Sequence, residues 1–113
     1  MKDFIEIGDK KYRVAANMNA IRDYGIRTGN TDLSKIGDVL TFPLDNMGTM
    51  AHCCIKEGER LEGREFNLSE LDLGAEMLPV HMLEFARVYT RQVTAGLKPD
   101  NVTGTKKKLG LFR

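Results

Sequence analysis

Residues 3–14 read Asp-Phe-Ile-Glu-Ile-Gly-Asp-Lys-Lys-Tyr-Arg-Val. Ile5 and Ile7 flank Glu6. Gly8-Asp9-Lys10-Lys11 then carries turn chemistry, and Tyr12, Arg13 and Val14 alternate again. Period-two alternation on both sides of a permissive glycine predicts a β-hairpin. Ile5, Ile7, Tyr12 and Val14 share one face whether the loop has two residues or four, because both registers keep the same parity. A lone hairpin is marginal in water. That face must therefore pack on helices or on a second copy of the chain.

Downstream of the hairpin the apolar spacing changes from two to between three and four, the signature of helix. A first helix is expected over about 17–28, capped by Asn17 or Asn19, striped by Ala20, Ile21, Tyr24 and Thr28, and closed by Gly29 in the left-handed conformation. Gly25 within it costs about 1 kcal/mol relative to alanine and implies close packing or modest stability. Residues 30–42 hold a short turn of helix at most, around Asp32–Val39. A second helix is expected over 43–57, with Pro43 harmless in its first turn, the stripe Leu44, Met47, Met50/Ala51 and Cys54/Ile55, and Gly58 as its stop. Glu59–Phe66 reads as a polar loop. Ser69-Glu70-Leu71-Asp72 is a capping pattern that opens a short helix over 69–77. Pro79 interrupts it, and a last helix over 79–95 carries Leu78, Met82, Phe85, Ala86, Tyr89 and Val93 before Gly96 stops it. The expected fold is α+β, mostly α-helical: an N-terminal hairpin and three to five helices in one domain over 1–95, then a flexible basic tail over 96–113.

Composition narrows the function classes. The chain has 113 residues, 42% of them apolar and 29% charged, enough for one domain with a real core. A net charge of +1 argues against a nucleic-acid binder that works through bulk charge. Charge is nonetheless uneven. From Gly96 onward Lys98, Lys106, Lys107, Lys108 and Arg113 face Asp100 alone, which leaves a mildly acidic body. No apolar run approaches the roughly 18 residues of a membrane span, and Met1-Lys2-Asp3-Phe4 begins no signal peptide, so a cytoplasmic location is expected. Cys53 and Cys54 are adjacent, with Cα atoms about 3.8 Å apart, too close for an ordinary disulfide.

Few residues suggest chemistry. His52, Cys53 and Cys54 are the one soft-ligand cluster, but consecutive helical side chains diverge by about 100°, so they do not converge on a metal and are better read as core. Ser69 lacks a nucleophile setting, and capping accounts for it. Glu57/Glu59 and Glu62/Glu65 suit acid–base work only with an apolar pocket to shift them, and a polar loop offers none. There is no phosphate-binding glycine motif. No catalytic residue, metal or cofactor is expected. Lys106–Lys108 are a weak nucleic-acid footprint. Leu109, Leu111 and Phe112 are odd in a solubilising tail; they could dock on a neighbour or be the end of an open reading frame under some other constraint. The methionines carry more information. Met47, Met50, Met77, Met82, Phe85 and Tyr89 form either an ordinary core or a groove that accepts a partner's amphipathic helix.

The order of elements resembles the tail assembly chaperones of long-tailed bacteriophages and prophages. Ile5-Glu6-Ile7-Gly8-Asp9-Lys10-Lys11-Tyr12 is similar to that family's I-x-I-G-G-K-x-Y strand pair. Asn17-Met18-Asn19-Ala20-Ile21 followed by Thr28-Gly29 is similar to its first helix. Ala51, Ile55 and Gly58 resemble its A-x-L-x-x-G helix, and Phe66-Asn67-Leu68-Ser69-Glu70-Leu71 the start of the next one. Asp9 in place of the second turn glycine, and Tyr24-Gly25 in place of a Glu-rich stretch, depart from the pattern. The resemblance implies a non-enzymatic role in the host bacterial cytoplasm: binding and solubilising the tape measure protein before the tail tube polymerises, as a homo-oligomer with many copies on one partner. It also implies a longer product made by ribosomal frameshifting, for which an A-rich run encoding Lys106–Lys108 would serve as the slip site. The alternative is a structural virion component, a tail-completion or head–tail connector protein that forms a ring.

Overall fold

The computed structural model describes residues 2–97. It contains β1 (Asp3–Ile7), β2 (Lys10–Val14), α1 (Met18–Thr28), α2 (Leu44–Leu61), α3 (Glu70–Glu76) and α4 (Pro79–Leu97), with two single 3-10 turns, Leu33–Lys35 and Val39–Thr41, between α1 and α2. This is the expected α+β, mostly helical architecture: a two-stranded antiparallel hairpin followed by four helices. The predicted tail lies outside the described residues from position 98 onward.

The hairpin takes the two-residue loop. Ile5 pairs with Tyr12 and Ile7 with Lys10, leaving Gly8-Asp9 at the turn with Gly8 at φ +66°. Ile5, Ile7, Tyr12 and Val14 are all buried, and the face packs on α2 and α4 of the same chain. On the opposite face Lys11 sits over the Phe4 ring and Arg13 reaches Glu62.

Helix ends follow local chemistry where a cap is present. Asn17 accepts from the Ala20 N–H, Ser69 accepts from the Asp72 N–H, and Gly29 closes α1 at φ +76°. Two boundaries differ from expectation. Gly58 does not end α2, which continues to Leu61; Gly63, at φ +76°, is the glycine in the left-handed conformation that follows it. Gly58 serves a different need, because the Arg13 carbonyl lies against its Cα face. Gly96 likewise does not stop α4, which runs to Leu97.

The hairpin is held on by backbone as well as side chains. The Ala15 N–H donates to the Cys54 carbonyl at 3.0 Å. Gln92 on α4 clamps the far side. Its amide nitrogen donates to the Val14 carbonyl and to Asp3, and its amide oxygen accepts from the Ala16 N–H at 2.7 Å.

Tyr24, Tyr89, Phe85, Met50 and Ile55 fill the centre. The Tyr89 hydroxyl donates to the Ile36 carbonyl at 2.5 Å, pinning the 3-10 segment to α4. The Tyr24 hydroxyl is equally buried and has no hydrogen-bond partner among the described residues. The two tyrosines should therefore respond oppositely to loss of their oxygen. Tyr89→Phe strands a buried carbonyl and should cost about 1–2 kcal/mol, whereas Tyr24→Phe removes an unsatisfied group and should be neutral or stabilising by up to about 1 kcal/mol. Urea unfolding of the two variants measures both. Equal losses would contradict the assignment.

Candidate functional site

The apolar stripes of α2 and α4 begin outside the core and run into it. On α2, Leu44 is 83% exposed and Met47 half-buried, while Met50 has no exposed surface. On α4, Leu78 just ahead of the helix is 60% exposed and Met82 half-buried, while Phe85 and Tyr89 are fully covered. The uncovered ends face the same space. Leu44 and Met47 from α2, Leu73 and Gly74 from α3, Met77 and Leu78 from the link before α4, and Met82 and Leu83 from its first turns line one open groove of about 480 Å³.

α3 is the groove's middle wall, and its anchoring is explicit. Ser69 caps it, and the buried side chain of Leu73 fixes its inner face. Glu70 accepts from Arg27 of α1 at 3.0 Å and from the Thr49 hydroxyl of α2 at 2.8 Å. A seven-residue helix is unstable alone, so these contacts place the wall.

Of the six residues expected to contact a partner, Met47, Met77 and Met82 come together in this groove. Met50, Phe85 and Tyr89 do not. They are part of the core, and a side chain with no exposed surface has none to offer a partner. The periodicity that grouped all six records which face of a helix is apolar, not whether another element covers it. Leu40 and Leu83 were missed. Leu83 falls one residue off the α4 stripe, and Leu40 sits in a 3-10 turn, where no helical period applies. Leu44 and Leu78 belonged to the stripes, and their position at the uncovered N-terminal ends was the available signal.

The other candidates resolve as structure. The His52 ring accepts from Arg27 at Nδ1 (2.8 Å) and donates from Nε2 to the Leu68 carbonyl (2.6 Å), so both nitrogens are occupied. Burial pushes the Cys53 thiol up to about 12 and the Cys54 thiol well above its ordinary value. Both remain protonated and poorly nucleophilic at neutral pH. Among the described residues no three His, Cys, Asp or Glu side chains are grouped to hold a metal ion.

The glutamates require a correction. Glu57 and Glu59 lie within α2, not in a loop, and both are buried. Their pKa values move down, not up. A two-point contact with Arg60 is the largest influence on Glu57, which also accepts from the Asn17 and Asn19 side-chain amides and falls to about 2. Arg64 acts likewise on Glu59, which also accepts from the Arg13 backbone N–H. Glu62 is lowered by Lys2 and Arg13. At neutral pH these are ionised struts, Glu57 to the start of α1 and Glu59 and Glu62 to the hairpin. A carboxylate held that low is a poor general acid or base at neutral pH. Lys106–Lys108 and Leu109–Phe112 lie outside the described residues.

Among the described residues no helix is long and apolar enough to cross a membrane. Comparison of the chain with known protein families, with curated proteins and with solved structures finds no match in any of the three.

Proposed function

We propose that the chain is a non-enzymatic tail assembly chaperone, which binds the tape measure protein of a long-tailed bacteriophage and keeps it soluble until the tail tube polymerises around it. The observation that carries the reading is the groove lining: Met47, Met77 and Met82, flexible thioether side chains, flanked by Leu44, Leu78 and Leu83. Methionine adapts to irregular apolar surfaces, which suits successive, non-identical segments of one long helix. The resemblance of the hairpin and first-helix motifs to that chaperone family supports the same reading.

The energetics fit a displaceable binder. Covering one leucine or methionine is worth roughly 1.5–3 kcal/mol. Four or five such side chains, less the cost of association and side-chain ordering, leave only a few kcal/mol per copy. Many copies along one partner still hold it, because each added site acts at high effective concentration. A long apolar stripe left bare would aggregate.

The test is co-expression with the long helical protein encoded just downstream, followed by pull-down and stoichiometry. A soluble complex with several copies of this chain per partner is expected. Leu44→Gln with Leu78→Gln removes exposed groove side chains that do little for folding. It should weaken binding at least about 30-fold, at 1.4 kcal/mol per tenfold, with an unchanged melting temperature. Ile26→Gln, on exposed α1 surface away from the groove, should leave binding intact. A partner that stays insoluble and unbound overturns the reading, and a closed ring of the isolated chain would put it among structural virion components instead.

A further inference from the structure

The two edges of the hairpin are not alike. A two-residue loop makes Ile7 and Lys10 a pair that exchanges both backbone bonds, and antiparallel pairs alternate from there. Asp3, Ile5 and Ile7 therefore direct their N–H and C=O groups to β2. Phe4 and Glu6 direct theirs outward on one edge, and Lys11 and Arg13 outward on the other. The β2 edge is closed by α2. The Arg13 N–H donates to Glu59 at 2.9 Å, the Arg13 carbonyl lies against Gly58, and the Ala15 N–H donates to the Cys54 carbonyl. The β1 edge has no such cover. Among the described residues, no hydrogen bond reaches the outward N–H or C=O of Phe4 or Glu6.

An open edge is a template for another strand, and natural sheets commonly blunt it with a lysine, a proline or a bulge. β1, Asp-Phe-Ile-Glu-Ile, has none of the three. Its own sequence fits it. Antiparallel pairing with β1 of a second copy, about a two-fold axis at Ile5, sets Phe4 opposite the partner's Glu6. Both residues of that pair carry outward groups, so they exchange both bonds, and symmetry repeats the pair. Charge agrees with this register. Glu6 is exposed and enters no ion pair among the described residues, nor does Lys11. Lys11 holds its ammonium 5.4 Å from the centre of the Phe4 ring. The partner's Glu6, opposite that ring, comes within reach of it. Moving the axis to Glu6 would instead set the two glutamates face to face.

We propose that the chain self-associates through β1: two copies pair this strand antiparallel about Ile5 and join their two-stranded sheets into one of four strands. The contact is isologous and closes at two copies, so it builds no ring. No groove residue lies in β1, so each copy keeps its groove. The proposal does not rest on the partner-binding reading above. The seam is small beside the roughly 1,200 Å² of a stable specific interface, so the dimer is weak and reversible.

The experiment follows the full chain by sedimentation velocity and amide hydrogen exchange over a series from micromolar to millimolar concentration. A monomer–dimer equilibrium is expected. The Phe4 and Glu6 amides should gain protection as dimer forms, while those of Ile5 and Ile7, bonded to β2 throughout, change little. Glu6→Lys and Lys11→Glu each set like charges across the seam and should each weaken pairing about tenfold. Mixed, the two variants should pair with each other, because opposite charges then meet at both contacts. A role confined to one hairpin would not produce pairing on mixing. A chain that stays monomeric throughout overturns the proposal, as do variants that dimerise alone as the wild type does. A dimer with unprotected Phe4 and Glu6 amides also overturns it, by placing the contact elsewhere. Protection that comes only with the co-expressed partner overturns it too, by assigning the edge to an extended segment of that protein.

Discussion

Gly58→Ala is expected to lower the stability by about 3–5 kcal/mol, the largest effect of any single methyl group in this chain. A Cβ at this position would lie 2.0 Å from the Arg13 carbonyl oxygen and 2.4 Å from its carbon. Both are backbone atoms, so no side chain can swing away. The strand they belong to is also held at that distance. The Ala15 N–H bonds the Cys54 carbonyl one turn before Gly58, and the Arg13 N–H bonds the Glu59 carboxylate one residue after it. Accommodating the methyl means lifting β2 off α2 and loosening both bonds. In a domain of this size the loss corresponds to a fall in melting temperature of roughly 15–30 °C. Gly48→Ala provides the contrast. It lies in the same helix, a Cβ there would meet nothing within 4 Å, and the lost backbone freedom should make the change stabilising by about 0.5–1 kcal/mol. Thermal melts of the two variants should move in opposite directions. Similar melting temperatures would refute the close-approach account of Gly58.

Acidification is expected to weaken the domain chiefly through the α2 carboxylates. The folded pKa of Glu57 is about 2, below its ordinary value of 4.5, because Arg60 and then the Asn17 and Asn19 amides favour the charged form. A group depressed on folding stabilises the native state above its unfolded pKa and loses that contribution as pH falls through the folded value. The window is therefore about pH 5 down to pH 2. Glu57 alone should contribute about 2–3 kcal/mol across it, after allowance for the solvent exposure of Arg60. Glu59 moves in the same direction through Arg64 and the Arg13 N–H. Urea midpoints between pH 7 and pH 2.5 should fall steeply for the wild type. Glu57→Gln should start lower at pH 7 and fall less, with the two curves converging near pH 2. Parallel curves would show that Glu57 does not report on folding. The physical role of the residue is visible in its partners: it joins the capping residue of α1 to the C-terminal part of α2.

Much of the architecture was legible in local sequence. Gly8-Asp9 between alternating strands determined the hairpin, and the two permitted loop lengths gave the same buried face, so even the unresolved register did not matter to the core. Asn17, Ser69 and Gly29 act on backbone groups within a few residues of themselves, and each does in the structure what its local pattern implies. Gly58 shows where that reasoning ends. A glycine after an apolar stripe looks like a helix stop, yet its function is set by the Arg13 carbonyl, 45 residues away in sequence. Glu57 and Glu59 repeat the point in part: Arg60 and Arg64, close in sequence, lower them most, but the Asn17 and Asn19 amides of the α1 start and the Arg13 N–H of the hairpin act from far along the chain.

The candidate site divides the same way. Element order, the caps, the hairpin face and the apolar stripes follow from residue order, because each depends on neighbours along the chain. The tertiary structure alone decided which parts of those stripes are core and which are groove. Met50, Phe85 and Tyr89 lie where α2 and α4 are covered by the rest of the chain, whereas Met47 and Met82 lie where the two stripes extend past it, with Met77 beside them at the end of α3. Helical periodicity fixes the direction a side chain points, but burial depends on what stands opposite, and that is a property of the whole folded chain.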